Sequence, residues 1–235
     1  MHGRMALDTA VDRGNALLGS LHPDDAQLIA ADLQRHVVGG GEILLDPTRP
    51  LDHVFFPETA VIGLRAATAT GRMMQVGLVG REGMVGWWAL LGNDMPDHGA
   101  VALLQGGTVL SIPTTRLRAA CSASPTLLTD LLRFIGQFVQ QLSDSVVSSA
   151  CDPAERRLAR WLLMPHDRID GDEIAIKHSE LGVLLNLRRA TITDCLHILE
   201  GERALRCTRG HIAIRDRAIL EAFARDKSAK PRGGR

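Results

Sequence analysis

The sequence predicts an α+β chain in three parts: a small antiparallel β-roll behind short N-terminal helices, one long central helix, and a C-terminal winged helix-turn-helix. Three observations carry this. Turn residues recur at short, regular intervals between Val37 and Pro113, apolar residues step by three and four from Leu128 to Val146, and Lys177–Glu200 (KHSELGVLLNLRRATITDCLHILE) has the pattern of two short helices around a sharp turn.

Taken in order, residues 1–36 read as helical, with Leu17, Leu18, Leu21, Leu28, Ile29 and Leu33 at helix-like spacings. Pro23 is placed to start a second short helix, and Asp24 and Asp25 sit in its positive first turn. From Val37 the texture changes to short segments such as HVFFP, AVIGLRAAT, MMQVGLV, AVALLQG and TVLSIP, separated by glycine-rich turns, as in a compact barrel or roll.

Residues 125–149 form a single long helix. Leu128, Leu131, Ile135, Phe138 and Leu142 make one apolar stripe, and Leu132, Val139 and Val146 add a second. So broad an apolar face needs two partners. An internal core helix is one solution; a dimer seam through Leu128, Leu131, Ile135, Phe138 and Leu142 is the favoured one, since a two-fold partner also suits a helix-turn-helix that reads palindromic sites. Asp152 as N-cap, Pro153 at the first helical position and Glu155 at the third then open another helix, AERRLARWLLM, and the hinge between domains is expected here.

In the segment 177–200, Ser179 is the expected N-cap of the first helix, and Asn186 the residue that turns left-handed to end it. The second helix, 188–200, buries Ile192, Leu196 and Leu199, with Cys195 beside them, and carries Arg188, Arg189, Thr191 and Thr193 near its leading end. Such a helix suits a DNA major groove, and equally an ordinary helical pair with a solvated basic face. The segment beyond Glu200 favours DNA: Leu205, Cys207, Ile212 and Ile214 alternate with polar residues around Arg209-Gly210, the pattern of a β-hairpin with a basic tip. The domain bounds that result are 1–124, 125–150, 151–226 and a basic tail, 227–235, whose composition predicts disorder.

Net charge agrees with a division of labour. The whole chain is formally neutral, but residues 1–150 carry 10 Lys/Arg against 14 Asp/Glu and residues 151–235 carry 17 against 13, so the halves are −4 and +4. The four cysteines have no CxxC spacing, which argues against a zinc site or a disulfide framework and for reduced thiols in a cytoplasmic protein. No apolar run approaches a membrane span, and the N-terminus lacks the organisation of a signal peptide.

The order of elements, GREGMVGWWALLG (Gly80–Gly92) and HSELGVLLNLRRATITDCLHILE with its hairpin together resemble the Crp/Fnr superfamily of bacterial transcription regulators. The resemblance implies a homodimer on a palindromic duplex DNA operator, contact with RNA polymerase, and a roll that is cyclic-nucleotide-binding-like. It implies that Arg189 pairs with a guanine, while Ser179, Arg188, Thr191, Arg209 and His211 are placed for phosphates. An effector pocket would involve Gly83, Gly86, Trp87, Trp88, His98 and Gly99.

Departures narrow that implication. The cyclic-AMP-binding members carry a carboxylate for the ribose where this chain has Trp87, and an Arg-Ser pair for the phosphate at about His98-Gly99, so cyclic AMP is not expected and the effector stays unidentified. Trp87 and Trp88 either line an apolar pocket or pack the roll. Ala190 stands where those members have Glu, and Asp194 where they have Arg, so the operator should keep a guanine per half-site and differ around it. No cysteine precedes Cys121, which argues against an iron–sulfur cluster, and no cofactor or metal is expected. The alternative class is a cupin-like small-molecule-binding roll or enzyme with a C-terminal interaction module, disfavoured by the lack of a His-x-His plus Glu set.

Overall fold

In the computed structural model, described for residues 14–225 except 68, 70, 72, 94, 96, 97 and 105, the chain divides into two compact units: residues up to 64 with 79–140, and residues 65–78 with 141 onward. The helical reading of the first 13 residues and the tail from 227 lie outside the described residues.

The first unit starts with α1 (Ala16–Gly19) and α2 (Pro23–Ala30). Asn15 caps α1 by accepting from Leu18 N (2.9 Å), and its buried amide donates to the carbonyls of Pro57 (2.7 Å) and Gly83 (2.9 Å). Pro23 opens α2 as expected, whereas Asp25 does more than face the helix dipole. Its carboxylate is buried and accepts the hydroxyls of Ser124 (2.5 Å) and Thr126 (2.7 Å), which hold its pKa below the usual carboxylate value. The helical reading of residues up to 36 stops short, because β1 begins at Gln34 and pairs with β7 along its whole length.

The roll comprises β1 (Gln34–Gly39), β2 (Ile43–Leu45), β3 (His53–Pro57), β4 (Val61–Ala67), β5 (Met73–Val79), β6 (Gly99–Leu103) and β7 (Gly106–Pro113). Two sheets result, ordered β1-β7-β3 and β2-β6-β4-β5, with β7 antiparallel to both of its neighbours and β2 antiparallel to β6. Phe56, Ile62, Leu64, Met84 and Ile112 are fully buried. After α3 (Thr114–Ala123), helix α4 runs without a break from Pro125 to Cys151.

Helix α4 sorts its two stripes differently from the sequence expectation. Leu131, Ile135 and Phe138 are buried within the chain, at 0%, 8% and 2% exposure, while Leu132, Val139 and Val146 keep 39%, 49% and 69%. The correction is one residue of helix rotation: Leu131 and Phe138 face the core and leave no surface for a seam, and Leu128 and Leu142 are half-buried at its edge.

Besides residues 65–78, with most of β5, and the end of α4, the second unit contains α5 (Ala154–His166), β8 (Glu173–Ala175), α6 (His178–Leu185), α7 (Arg189–Gly201), β9 (Leu205–Thr208), β10 (His211–Ile214) and α8 (Arg217–Ala224). Its core joins Leu158 and Leu162 of α5, Leu181 of α6, Ile192, Leu196 and Leu199 of α7, Ile212 of β10 and Leu220 of α8. Asp152 does not cap α5; Pro153 takes that place, and the Asp152 carboxylate accepts from Ser148 Oγ (2.7 Å) and Arg156 (3.0 Å), groups that compete with backbone N–H donors. Strand β8 was not legible in the sequence: three residues are too few to show a period, and it is fixed by pairing with β10, giving the order β8-β10-β9.

Candidate nucleic-acid interface

Helices α6 and α7 meet through a short, tightly constrained turn. Glu180 of α6 reaches back to the Lys177 N–H (2.8 Å), so Lys177 is the cap, and Ser179, expected there, stands exposed in the first turn. Asn186 is left-handed (φ 50°, ψ 47°), as its short polar side chain allows, and Leu187 N then closes onto Gly182 O (2.9 Å). A Cβ on Gly182 would lie 3.0 Å from Leu187 O, so the turn needs glycine on its inner side. Arg157 of α5 donates to Leu185 O and satisfies a carbonyl at the end of α6, a link without a sequence signal.

Helix α7 presents its N-terminus openly. Arg188 is the N-cap and makes no side-chain capping bond, so the first N–H groups of α7 and its partial positive charge face outward. Arg188, Arg189 and Ala190 are exposed, Thr191 is half-buried, and Asp194 is exposed. Among the described residues neither arginine is ion-paired.

Thr193 is engaged differently from the sequence expectation. Its hydroxyl donates to Arg189 O (3.1 Å), which leaves the oxygen to accept from His178 Nδ1 (3.2 Å) on α6. The pair sets the rotation of α7 on α6, so Thr193 positions the helix and its hydroxyl is already used. Burial first, then the neighbouring charge of Arg189, pushes the His178 pKa below its ordinary value and favours the neutral ring.

The hairpin places Arg209 exposed at its tip beside Gly210 (φ 81°). His211 starts β10, but its ring turns toward Glu173 of β8 (Nδ1 to Oε1 3.4 Å) instead of the tip. Ser179, Arg188, Arg189, Thr191 and Arg209 thus remain with accessible side chains on the helix-turn-helix and hairpin.

In the other unit, the Gly80–Gly92 segment is built around aromatic rings. Gly83 lies under the Phe134 ring, where a Cβ would sit 2.0 Å from a ring carbon, and Gly86 takes φ 92° ahead of the 3₁₀ turn Trp87–Leu91. Trp87 stacks on Trp88 (centroids 4.8 Å, 15°), Trp88 on His98 (6.0 Å, 19°), and Trp87 meets Phe138 at 6.2 Å. Trp88 is 4% exposed, and Gly99 is buried on β6, so the packing alternative holds for Trp88. Trp87 Nε1 and His98 Nδ1 are buried without a hydrogen-bond partner.

Residues 156–223 match the family described as the Crp-like helix-turn-helix domain. The cyclic AMP receptor protein of Thermus thermophilus is 22% identical over 212 residues, covering 90% of this chain and 98% of that protein. FixK2 from Bradyrhizobium japonicum superimposes with a TM-score of 0.71 at 16% identity, covering 83% of this chain and 99% of that one. TTHB099, a CRP-family transcriptional regulator from Thermus thermophilus, gives 0.67 at 16% identity, with coverages of 81% and 96%. Residues 156–223 thus carry a Crp-like helix-turn-helix domain, and the chain shares the fold of these regulators over most of its length.

Proposed function

We propose that the protein is a homodimeric, sequence-specific regulator that reads a two-fold symmetric operator with α7. The observation that carries this reading is the open, uncapped N-terminus of α7 with Arg188 and Arg189 exposed and unpaired, held on α6 by Asn186 and by the His178–Thr193 contact. Arg189 donates two hydrogen bonds to a guanine, while Ser179, Arg188, Thr191 and Arg209 hold phosphates and fix register. The roll with its helices, up to residue 124, is the sensor-like part, the helix 125–150 the dimer seam and 151–226 the DNA-binding part.

The seam is formed by Leu132, Val139 and Val146, which recur every seven residues on the exposed side of α4, flanked by Leu128 and Leu142. Any small-molecule effector at Trp87 and His98 differs from cyclic AMP, since an indole replaces the carboxylate acceptor. RNA polymerase is the further partner that a regulator of this type engages, and cytoplasmic location follows from it; no described helix is long and apolar enough to cross a membrane.

The test is fluorescence anisotropy on a selected operator and single-base variants of it at several salt concentrations. Arg189→Ala should cost about 1–3 kcal/mol on the operator and flatten preference at one base pair per half-site. Arg209→Ala should weaken every duplex alike and lower the salt slope by about one. Unchanged base preference in Arg189→Ala would remove α7 as the reader.

A further inference from the structure

At the root of the hairpin, Arg203, Arg206 and Arg215 line one open depression of about 260 Å³ together with Glu200 and Leu205. Among the described residues none of the three arginines is ion-paired, whereas Arg156, Arg217 and Arg225 of the same unit all are. Glu200 offsets one of the three charges at most, and its Oε1 is turned to accept the Cys207 N–H (3.0 Å).

Two features of the backbone hold these charges together. Arg206 on β9 pairs with Ala213, and Arg215 N bonds Ala204 O, so the two arginines are diagonal neighbours on the outer face of the hairpin. Like charges so placed on adjacent strands repel unless something neutralises them. Arg203 ends α7 at φ 62°, a left-handed position where glycine is favoured and a long side chain is retained at a conformational cost.

The DNA-reading groups are elsewhere on this unit. Along α7 the basic N-terminal end is about 18 Å from Gly201, and along the hairpin the tip is about 13 Å from the root. From these observations we infer an anion site for an oligophosphate, either inorganic pyrophosphate or the phosphate tail of a nucleotide. Three arginines supply the charge and the N–H donors that the oxygens of such a group need, and the depression is too small to enclose a base and sugar as well. The site stands independently of how α7 reads DNA.

The experiment is titration calorimetry of the full chain with inorganic pyrophosphate at fixed ionic strength, with sulfate as control and ATP against tripolyphosphate as a second comparison. Saturable one-to-one binding is expected, weakened about tenfold or more in Arg206→Ala/Arg215→Ala and little changed in Arg189→Ala/Arg209→Ala. Arg203→Gly should weaken binding without lowering the melting temperature, since glycine suits φ 62°. ATP binding tighter than tripolyphosphate identifies a nucleotide as the source, and equal binding identifies free oligophosphate. Equal heats with sulfate, loss that follows Arg189 and Arg209, or a uniform loss of duplex affinity in Arg206→Ala/Arg215→Ala would overturn the inference, the last by making the trio a DNA-backbone contact.

Discussion

Substituting Val139 by Glu should split the proposed dimer while leaving the chain folded. Val139 is 49% exposed in the subunit, and a fully buried valine contributes about 1.5–3 kcal/mol. Covering the exposed half therefore contributes about 1 kcal/mol per subunit, doubled to about 2 kcal/mol because a two-fold axis uses the position twice. The charged variant loses that burial and sets two carboxylates near each other, so the dimer dissociation constant should rise at least about thirtyfold. Phe138→Ala, one helix position away, is the contrast: its ring is 2% exposed and lies 6.1 Å from Phe134 and 6.2 Å from Trp87. Its loss should cost about 3–5 kcal/mol of fold stability. Sedimentation velocity over a concentration series, with denaturant unfolding of both variants, separates the two effects. A Val139→Glu protein that sediments like the parent, or a Phe138→Ala protein of parental stability that is monomeric, would refute this assignment of the two stripes.

Two further outcomes rest on local chemistry. Because the folded His178 pKa is lowered, the unfolded chain binds more protons over the interval below the ordinary value of 6.5. Stability should therefore fall as pH drops through that value and level off below the folded one; denaturant midpoints between pH 7.5 and 5 should show this component, and an unchanged slope in His178→Gln would exclude it. Calorimetry with cyclic AMP or cyclic GMP should show no micromolar binding, because Trp87 stacks on Trp88 where a ribose acceptor would be needed; micromolar heats for either nucleotide would contradict that geometry.

Much of the fold was legible because local signals and tertiary packing agree. HVFFP and MMQVGLV coincide with β3 and β5, Asn186 takes the left-handed turn, and Arg209-Gly210 forms the hairpin tip. The rest depended on contacts between distant residues. Steps of three and four mark two adjacent stripes on α4, but only the placement of Gly83 under Phe134 and of Trp87 beside Phe138 shows which stripe meets the roll. Asp152 and Ser179 have the composition of caps, yet Ser148, Arg156 and Glu180 compete for the same bonds. The engagement of Thr193 by His178, 15 residues away, has no counterpart in periodicity. The convergence of Arg203, Arg206 and Arg215 likewise exists only once α7 turns into β9 and β10 folds back along it.

Selection of bound sequences from a random duplex library by the full chain tests most directly whether a dimer reads DNA through α7. The enriched motif should be two-fold symmetric, with one guanine per half-site that disappears when the selection is repeated with Arg189→Ala. An asymmetric motif, no enrichment, or the same guanine retained by the variant would contradict the account.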